Sequence, residues 1–554
     1  MFLLSIFSLG SLVTGQRIQI NPETRMFTDE YGRTVIFHGV NAVYKLPPYF
    51  PNNQTFSPQD SLTPDDILNL TSWGFNFIRL GVMWEAVEYS LGKYNDTYLS
   101  IITNMINALG DQGIYTLVDA HQDVFSRKIC GEGVPDYYAS NLTDKCEGPL
   151  GSILQMLGAC NPFSELHYQV DQNGNPLLSD CAEKMFAWYY STPEAADGFS
   201  RLYTNKDHYQ DWFLKYWDHV TKTIGKNPYI VGYDIINEPL AANMFTEPWT
   251  AIPGVNDYVN LFPMYQKAQG IMSENDPDAV VFFEPIQGDV MPFLGGMVFP
   301  IGFTEPIANS SYMNRMILND HSYCCQAGVA ICANGEPALN YTDICTAFNY
   351  ARITSRAIDA KNLNLGLIIS EFGACFDSQN CVNEITSVAN ACDDNLAGWA
   401  YWQFKNYSDF TTSAGFERSE GFYNVDGTLQ SNKVKALART YVPYYQGVPI
   451  MINFNTSTGA FITVFTLDPN VNNTTILFAH QEFYYNSGMN VMVNNTYGNG
   501  CTDITEFAND DDLDSVNLGV GYSCSYKNFK PNYYSFSFVG VTQKVNTTVT
   551  ITSK

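Results

Sequence analysis

The chain has 554 residues, 45% of them hydrophobic, enough for a large barrel core and a second, smaller domain. Its 29 basic and 56 acidic residues leave a formal charge of −27, which repels nucleic acid phosphates and anionic membranes and leaves a neutral ligand as the better fit.

Residues 1–15 are apolar and uncharged, end in the small residues of Val13-Thr14-Gly15, and read as a secretory signal peptide. They fall short of the ~20 apolar residues that span a bilayer, and no later segment reaches that length. Asn-x-Ser/Thr sequons at Asn53, Asn69, Asn95, Asn141, Asn309, Asn340, Asn406, Asn455, Asn473 and Asn546 fit a secreted or lumenal chain. The thirteen cysteines fall into local groups: 130, 146, 160 and 181; 324, 325, 332 and 345; 375, 381 and 392; 501 and 524. In an exported protein these read as loop-stapling disulfides with at least one thiol left over, because the count is odd. A zinc site is disfavoured, since paired C-x-x-C spacing is missing and only seven histidines accompany the cysteines.

From residue 25 to 41 the pattern is a hairpin whose second arm runs into an apolar strand, the expected first strand of a barrel. The aromatic, Pro-containing loop after it holds Tyr44, Lys45, Pro47, Pro48, Tyr49 and Phe50 at the strand's carboxyl end. Its aromatics read equally as an exposed apolar face or as packing beneath a lid. Lys45 is a solvated charge or a donor to sugar hydroxyls, and position alone favours the first. Helix 65–73 precedes strand 75–80, which ends at Arg79; helix 98–109 precedes the strand beginning at 114 and leading to His121, Gln122 and Asp123. Arg79 at a strand end reads as a fork orienting a carboxylate or as a structural ion pair. Residues 124–206, with four cysteines and Trp188, Tyr189 and Tyr190, are too long for an ordinary βα loop and read as an excursion over the functional rim.

Helix 209–224 leads to the apolar run 230–236, which delivers Asn237 and Glu238 and stops at Pro239. Runs at 279–284, 315–321, 365–371 and 397–403 complete eight strands alternating with helices, the pattern of an α/β (β/α)8 TIM barrel. The strand ending in Glu371 repeats the form of the one ending in Glu238, and two strand-end carboxylates suit glycoside hydrolysis. Glu284, at the end of the fifth strand, is a rival that spacing does not dismiss. Past residue 443, short β-prone runs at 460–465, 475–479 and 533–539 suggest a β-sandwich over 444–554, behind a barrel spanning 16–443.

Taken together, Gly39-Val-Asn41-Ala-Val-Tyr44-Lys45, Asp119-Ala-His121-Gln-Asp123, Asn237-Glu238-Pro239, Ser370-Glu371-Phe-Gly373 and Trp399-Ala-Tyr-Trp402-Gln403 resemble the retaining glycosidases of glycoside hydrolase family 5, the endoglycoceramidases above all. The resemblance implies hydrolysis of the β-bond between oligosaccharide and ceramide, with Glu238 as acid/base and Glu371 as nucleophile at a separation of ~5–5.5 Å. It further implies that Asn237 bonds the sugar's 2-hydroxyl, that Lys45, His121 and Asp123 grip the sugars, that Tyr323 orients Glu371 and that Trp402 forms the stacking floor. Arg79, His321 and Gln403 would support them, and Glu284 has no role in the family. The implied partner is a glycosphingolipid met at a lipid surface or through an activator, for a monomer without metal or cofactor. Cleavage of galactosylceramide, of a β-glucan or of a simple β-glucoside are alternatives within the family. A catalytically inactive glycolipid-binding lectin is the alternative outside it, and the presence of both glutamates argues against it.

Overall fold

The computed structural model describes residues 17–148, 151–288, 290–291, 296–308, 310–332, 335–411, 420–504 and 522–554. The expected signal peptide and the Asn309 sequon lie outside these residues.

Eight parallel strands close into a barrel: β1 His38–Ala42, β2 Phe77–Gly81, β3 Tyr115–Asp119, β4 Ile230–Asp234, β5 Val280–Phe283, β6 Met316–Ser322, β7 Gly366–Phe372 and β8 Gly398–Tyr401. Parallel strands covered by helices are buried on both faces, which is why they read as near-continuous apolar runs rather than alternating ones. The helices α1 Pro64–Ser72, α2 Asp96–Gly110, α3 Tyr209–Ile224, α4 Phe262–Asn275, α5 Thr342–Asn362 and α6 Gln379–Asp394 separate most of them. Helix α1 starts at a capping box, in which the Thr63 hydroxyl accepts from the Asp66 amide and the Asp66 carboxylate accepts from the Thr63 amide. Helix α3 buries Phe213, Tyr216, Trp217, Val220 and Ile224 at helical spacing. Trp217 Nε1 donates to the Ile235 carbonyl at 3.0 Å, so this helix fixes the chain two residues before Asn237.

The expected sandwich is present, but it takes strands from both ends of the chain. Its larger sheet has eight strands and includes Gln19–Ile20, Phe27–Thr28 and Thr34–Val35, which join it where Val35 pairs with Tyr444. The hairpin expected to introduce β1 therefore belongs to the second unit, and the strand Tyr441–Tyr445 runs across the expected boundary at 443/444. The five-stranded sheet packs on it through Phe454, Phe461, Phe465 and Leu467. Phe27 and Phe37 carry the same core onto the amino-terminal end of the barrel, against Phe282 and Phe77.

Six disulfides pair cysteines within the groups seen in the sequence: 130–181, 146–160, 324–345, 325–332, 375–381 and 501–524. Cys392 is left as a buried thiol. Disulfides of this number mark an oxidising compartment. Among the described residues no helix is long and apolar enough to cross a membrane. Of the sequons, Asn406 is buried and its amide donates to Glu420, so it offers no acceptor for a glycan.

Candidate active site

The barrel strands end around one buried cation. The Arg79 guanidinium on β2 donates through Nε to Asp234 (2.9 Å) and through Nη2 to Asp119 (3.0 Å), Asn237 Oδ1 (2.8 Å) and Glu284 (3.3 Å). Its Nη1 donates to Asn41 Oδ1 at 3.3 Å and makes a short bond to Glu371 Oε1. Burial alone would lower the pKa of this arginine, but the surrounding carboxylates raise it well above the usual value, so the charge is permanent. The structure places Arg79 where either sequence reading would have it, inside a cluster of ion pairs and against the Glu371 carboxylate.

Glu371 ends β7 and is nearly buried. The Tyr323 hydroxyl donates to its second oxygen at 2.9 Å, and His321 Nδ1 lies 3.5 Å away. Burial pushes its pKa up, against the pull of His321 and Arg79. Gly373 follows at φ +107°, and a Cβ there would overlap the Tyr401 ring; that is the physical reason for a glycine after this strand end.

Glu238 follows β4 and is the more open carboxylate, its side chain 16% exposed. It has φ +39°, a conformation side chains rarely adopt and one held here by its neighbours. The Gln122 amide donates to its carbonyl at 3.1 Å, and its own amide donates to Glu284 at 3.0 Å. His321 Nδ1 sits 2.8 Å from Glu238 Oε1, while its Nε2 faces Ser370 at 3.2 Å and Glu284 at 3.2 Å. Burial opposes protonation of His321, but Glu284 and Glu371 raise its pKa well above the ordinary value, which favours the charged ring between these carboxylates. A carboxylate oxygen of Glu238, one of Glu371 and a ring nitrogen of His321 lie within 4.8 Å of one another. An oxygen-to-oxygen approach this close favours the retaining arrangement, with carboxyls about 5–5.5 Å apart, over an inverting pair about 6.5–9.5 Å apart.

Beside this pair lies a polar wall. Lys45 Nζ bonds Asp123 Oδ2 at 2.5 Å and the Thr411 hydroxyl at 2.6 Å, and lies 3.1 Å from Asp409 and 3.5 Å from Glu132. Lys45 is thus buried, and the solvated charge favoured by its position is corrected: three acids hold it. Its ammonium sits 4.7 Å from the centre of the Trp402 ring, with His121 stacked 5.1 Å from that ring. His121 Nδ1 is fixed by Asp119 at 2.8 Å, and its buried Nε2, 3.4 Å from Asp123 Oδ2, makes no hydrogen bond among the described residues, which leaves it aimed at the place of a sugar hydroxyl. Asn237 Nδ2 donates to the Gln122 carbonyl at 3.0 Å.

The structure gathers Lys45, Arg79, His121, Asp123, Asn237, Glu238, His321, Tyr323, Glu371 and Trp402 at this end of the barrel. Gln403 stands one step behind them: its amide donates to the Asn406 carbonyl, to Glu420 and to Asp409, one of the acids that hold Lys45. Glu284, without a role by resemblance, locks the Glu238 backbone and His321. Sequence reading missed Asp119, Glu132, Tyr190, Asp234, Asp409 and Thr411 as contacts. Asp119 and Asp234 stood in strand-end segments already noted, but Glu132 and Tyr190 come from the insertion and are placed only by its fold. The Tyr190 hydroxyl donates to Asp123 at 3.3 Å, so the 124–206 excursion does reach the functional rim. The loop aromatics Tyr44, Tyr49 and Phe50 are half-buried and packed against the core, with the Tyr49 hydroxyl donating to Glu85 at 3.1 Å and Phe50 against Tyr98, while Pro47 and Pro48 are exposed.

Residues 29–148 and 192–408 match the family model Cellulase (glycosyl hydrolase family 5). The chain is 31% identical over 499 residues to an endoglycoceramidase of Hydra vulgaris, covering 89% of this chain and 86% of that one. It is 29% identical over 477 residues to an endoglycoceramidase of Cyanea nozakii, covering 86% and 87%. Among solved structures, endo-glycoceramidase II from Rhodococcus sp. in its ganglioside GM3 complex is similar in fold, with TM-score 0.66 and 18% identity over 96% of this chain and 99% of that one.

Proposed function

Because the chain belongs to glycosyl hydrolase family 5, we propose that it is a retaining endoglycoceramidase, cleaving the β-bond between glycan and ceramide of glycosphingolipids and releasing both intact. The observation that carries the retaining chemistry is the pair Glu238 and Glu371, with carboxylate oxygens within 4.8 Å of each other. The ceramide specificity rests on the likeness, over most of the chain, to the two endoglycoceramidases.

In the first step the Glu371 carboxylate, oriented by Arg79 and Tyr323, attacks the anomeric carbon and forms a glycosyl ester. The bond to the ceramide oxygen breaks as Glu238 gives that oxygen a proton, and ceramide leaves as the alcohol. In the second step Glu238, now a carboxylate, takes a proton from water, the water oxygen bonds the anomeric carbon, and Glu371 is released. His321 feeds a hydrogen bond to Glu238 throughout. Asn237, Lys45, His121 and Asp123 hold the reacting sugar over Trp402. The chain acts as a monomer in a secreted or lumenal compartment, and contact with a lipid surface or an activator presents the substrate.

The test is a panel of purified substrates: a ganglioside, galactosylceramide and a cello-oligosaccharide. Intact oligosaccharide released from the ganglioside supports the reading. Preference for galactosylceramide moves the assignment to the galactosylceramide-cleaving relatives, and cello-oligosaccharide cleavage without glycolipid activity overturns it.

A further inference from the structure

Two stretches of this strongly acidic chain carry no ionisable side chain at all: the residues between Glu147 and Glu165, and those between Glu247 and Asp257. The fold packs the first against Met244 and Phe245, a few residues ahead of the second. Leu154, on the short helix Gly151–Met156, joins Cys146 and Cys160 in a small apolar cluster with Met244 and Phe245. Gly148 lies so close to the Phe245 carbonyl that a Cβ there would overlap it. Both stretches follow barrel strand ends, the first in the insertion after β3 and the second in the loop that begins with Glu238, so they share the rim around the catalytic pair.

What they present outward is apolar. Ile153, Met156 and Leu157 are 50%, 80% and 70% exposed, and Trp249 and Ile252 are 51% and 55% exposed. Cys146–Cys160 closes the chain around the first three, so the tip is held in shape before it meets anything. A large apolar side chain left this open costs solvation, and a cluster rimmed by polar residues marks an interaction surface. The occupant follows from charge. A chain of −27 is repelled by an anionic leaflet, and a patch stripped of lysine and arginine has nothing with which to recruit one. An aromatic ring beside aliphatic side chains suits the boundary between headgroup and acyl chain.

We propose that Ile153, Met156, Leu157, Trp249 and Ile252 form a docking surface for a neutral or zwitterionic phospholipid bilayer, seating the barrel mouth on the membrane. This deepens the glycolipid reading and rests on it, because a ceramide must be drawn out of such a surface.

The test uses the full secreted chain and vesicles of phosphatidylcholine and cholesterol with no glycolipid. Wild-type protein should sediment with them, and Met156→Glu combined with Leu157→Glu should lower the partition coefficient at least tenfold. Hydrolysis of a soluble aryl β-glycoside by the double variant should stay within twofold of wild type, which reports that it is folded. Failure of the wild-type protein to bind, equal binding by the variant, or stronger binding to phosphatidylserine vesicles would overturn the proposal. So would a wild-type dimer that the same substitutions dissociate, which would assign the patch to a second copy. Binding is read without turnover, so intact vesicle binding with no glycolipid cleavage would count against the substrate assignment alone.

Discussion

At the scale of single residues, the two glutamates differ in what their loss removes. Glu238→Ala should slow a glycolipid by a factor on the order of 10²–10⁴ and an aryl glycoside with an activated leaving group far less, since only the first needs a proton. Glu371→Ala should abolish turnover of both. Equal losses on the two substrates for Glu238→Ala would contradict the assignment. Burial raises the Glu371 pKa, and a nucleophile must be ionised. Activity should therefore fall, as pH drops, through a value above the ordinary glutamate pKa of about 4.3; a kcat/KM profile flat down to pH 4 would rule this out. The places of Tyr323 and Asn237 beside the two glutamates were legible because each stands at a strand end with a recognisable neighbour. Glu284 was not. Its position suggested a rival catalyst, and only the bonds to Glu238, His321 and Arg79 reveal a positioning group.

At the scale of elements, the eight barrel strands were readable because burial on both faces writes them as compact apolar runs. The insertion was readable as an insertion and opaque in its details, since long-range packing and disulfides, not local propensity, decide its path. There Cys130–Cys181 secures the turn in which Asp123 and Glu132 exchange backbone bonds of 3.2 and 2.8 Å. Removing it with Cys130→Ser should cost about 2–5 kcal/mol of stability. It should also loosen the Lys45–Asp123 wall, raising KM more than it lowers kcat. Calorimetry and kinetics that both match wild type would show that the staple does not support the site. The amino-terminal strands illustrate the opposite limit. Short pieces such as Phe27–Thr28 and Thr34–Val35 carry enough pattern to read as a hairpin, but their partner strand lies some 400 residues away, and sequence periodicity holds no record of it.

At the scale of the whole molecule, buried carboxyls set the pH dependence of stability. Burial pushes Glu85 and Glu384 up to about 7 and Glu420 to about 8. Each binds its proton more tightly in the folded chain than in the unfolded one, so stability is fully present below the unfolded value and falls as pH rises through 7 to 8. His480, lowered to about 4, and His38, held well below the ordinary imidazole value by burial, act in the opposite sense as pH rises toward 6.5, but they are two groups against three. The melting temperature should be higher at pH 5 than at pH 7.5, and a curve that rises across that interval would contradict this ledger of signs. The central claim, that a close pair of glutamates cuts glycan from ceramide by double displacement, is met most directly by proton NMR of a ganglioside during hydrolysis. The account predicts that the first sugar signal to grow is the β anomer at the reducing end of an intact oligosaccharide, with the α anomer following only by mutarotation. An α anomer appearing first, or monosaccharides released stepwise from the outer end, would contradict it.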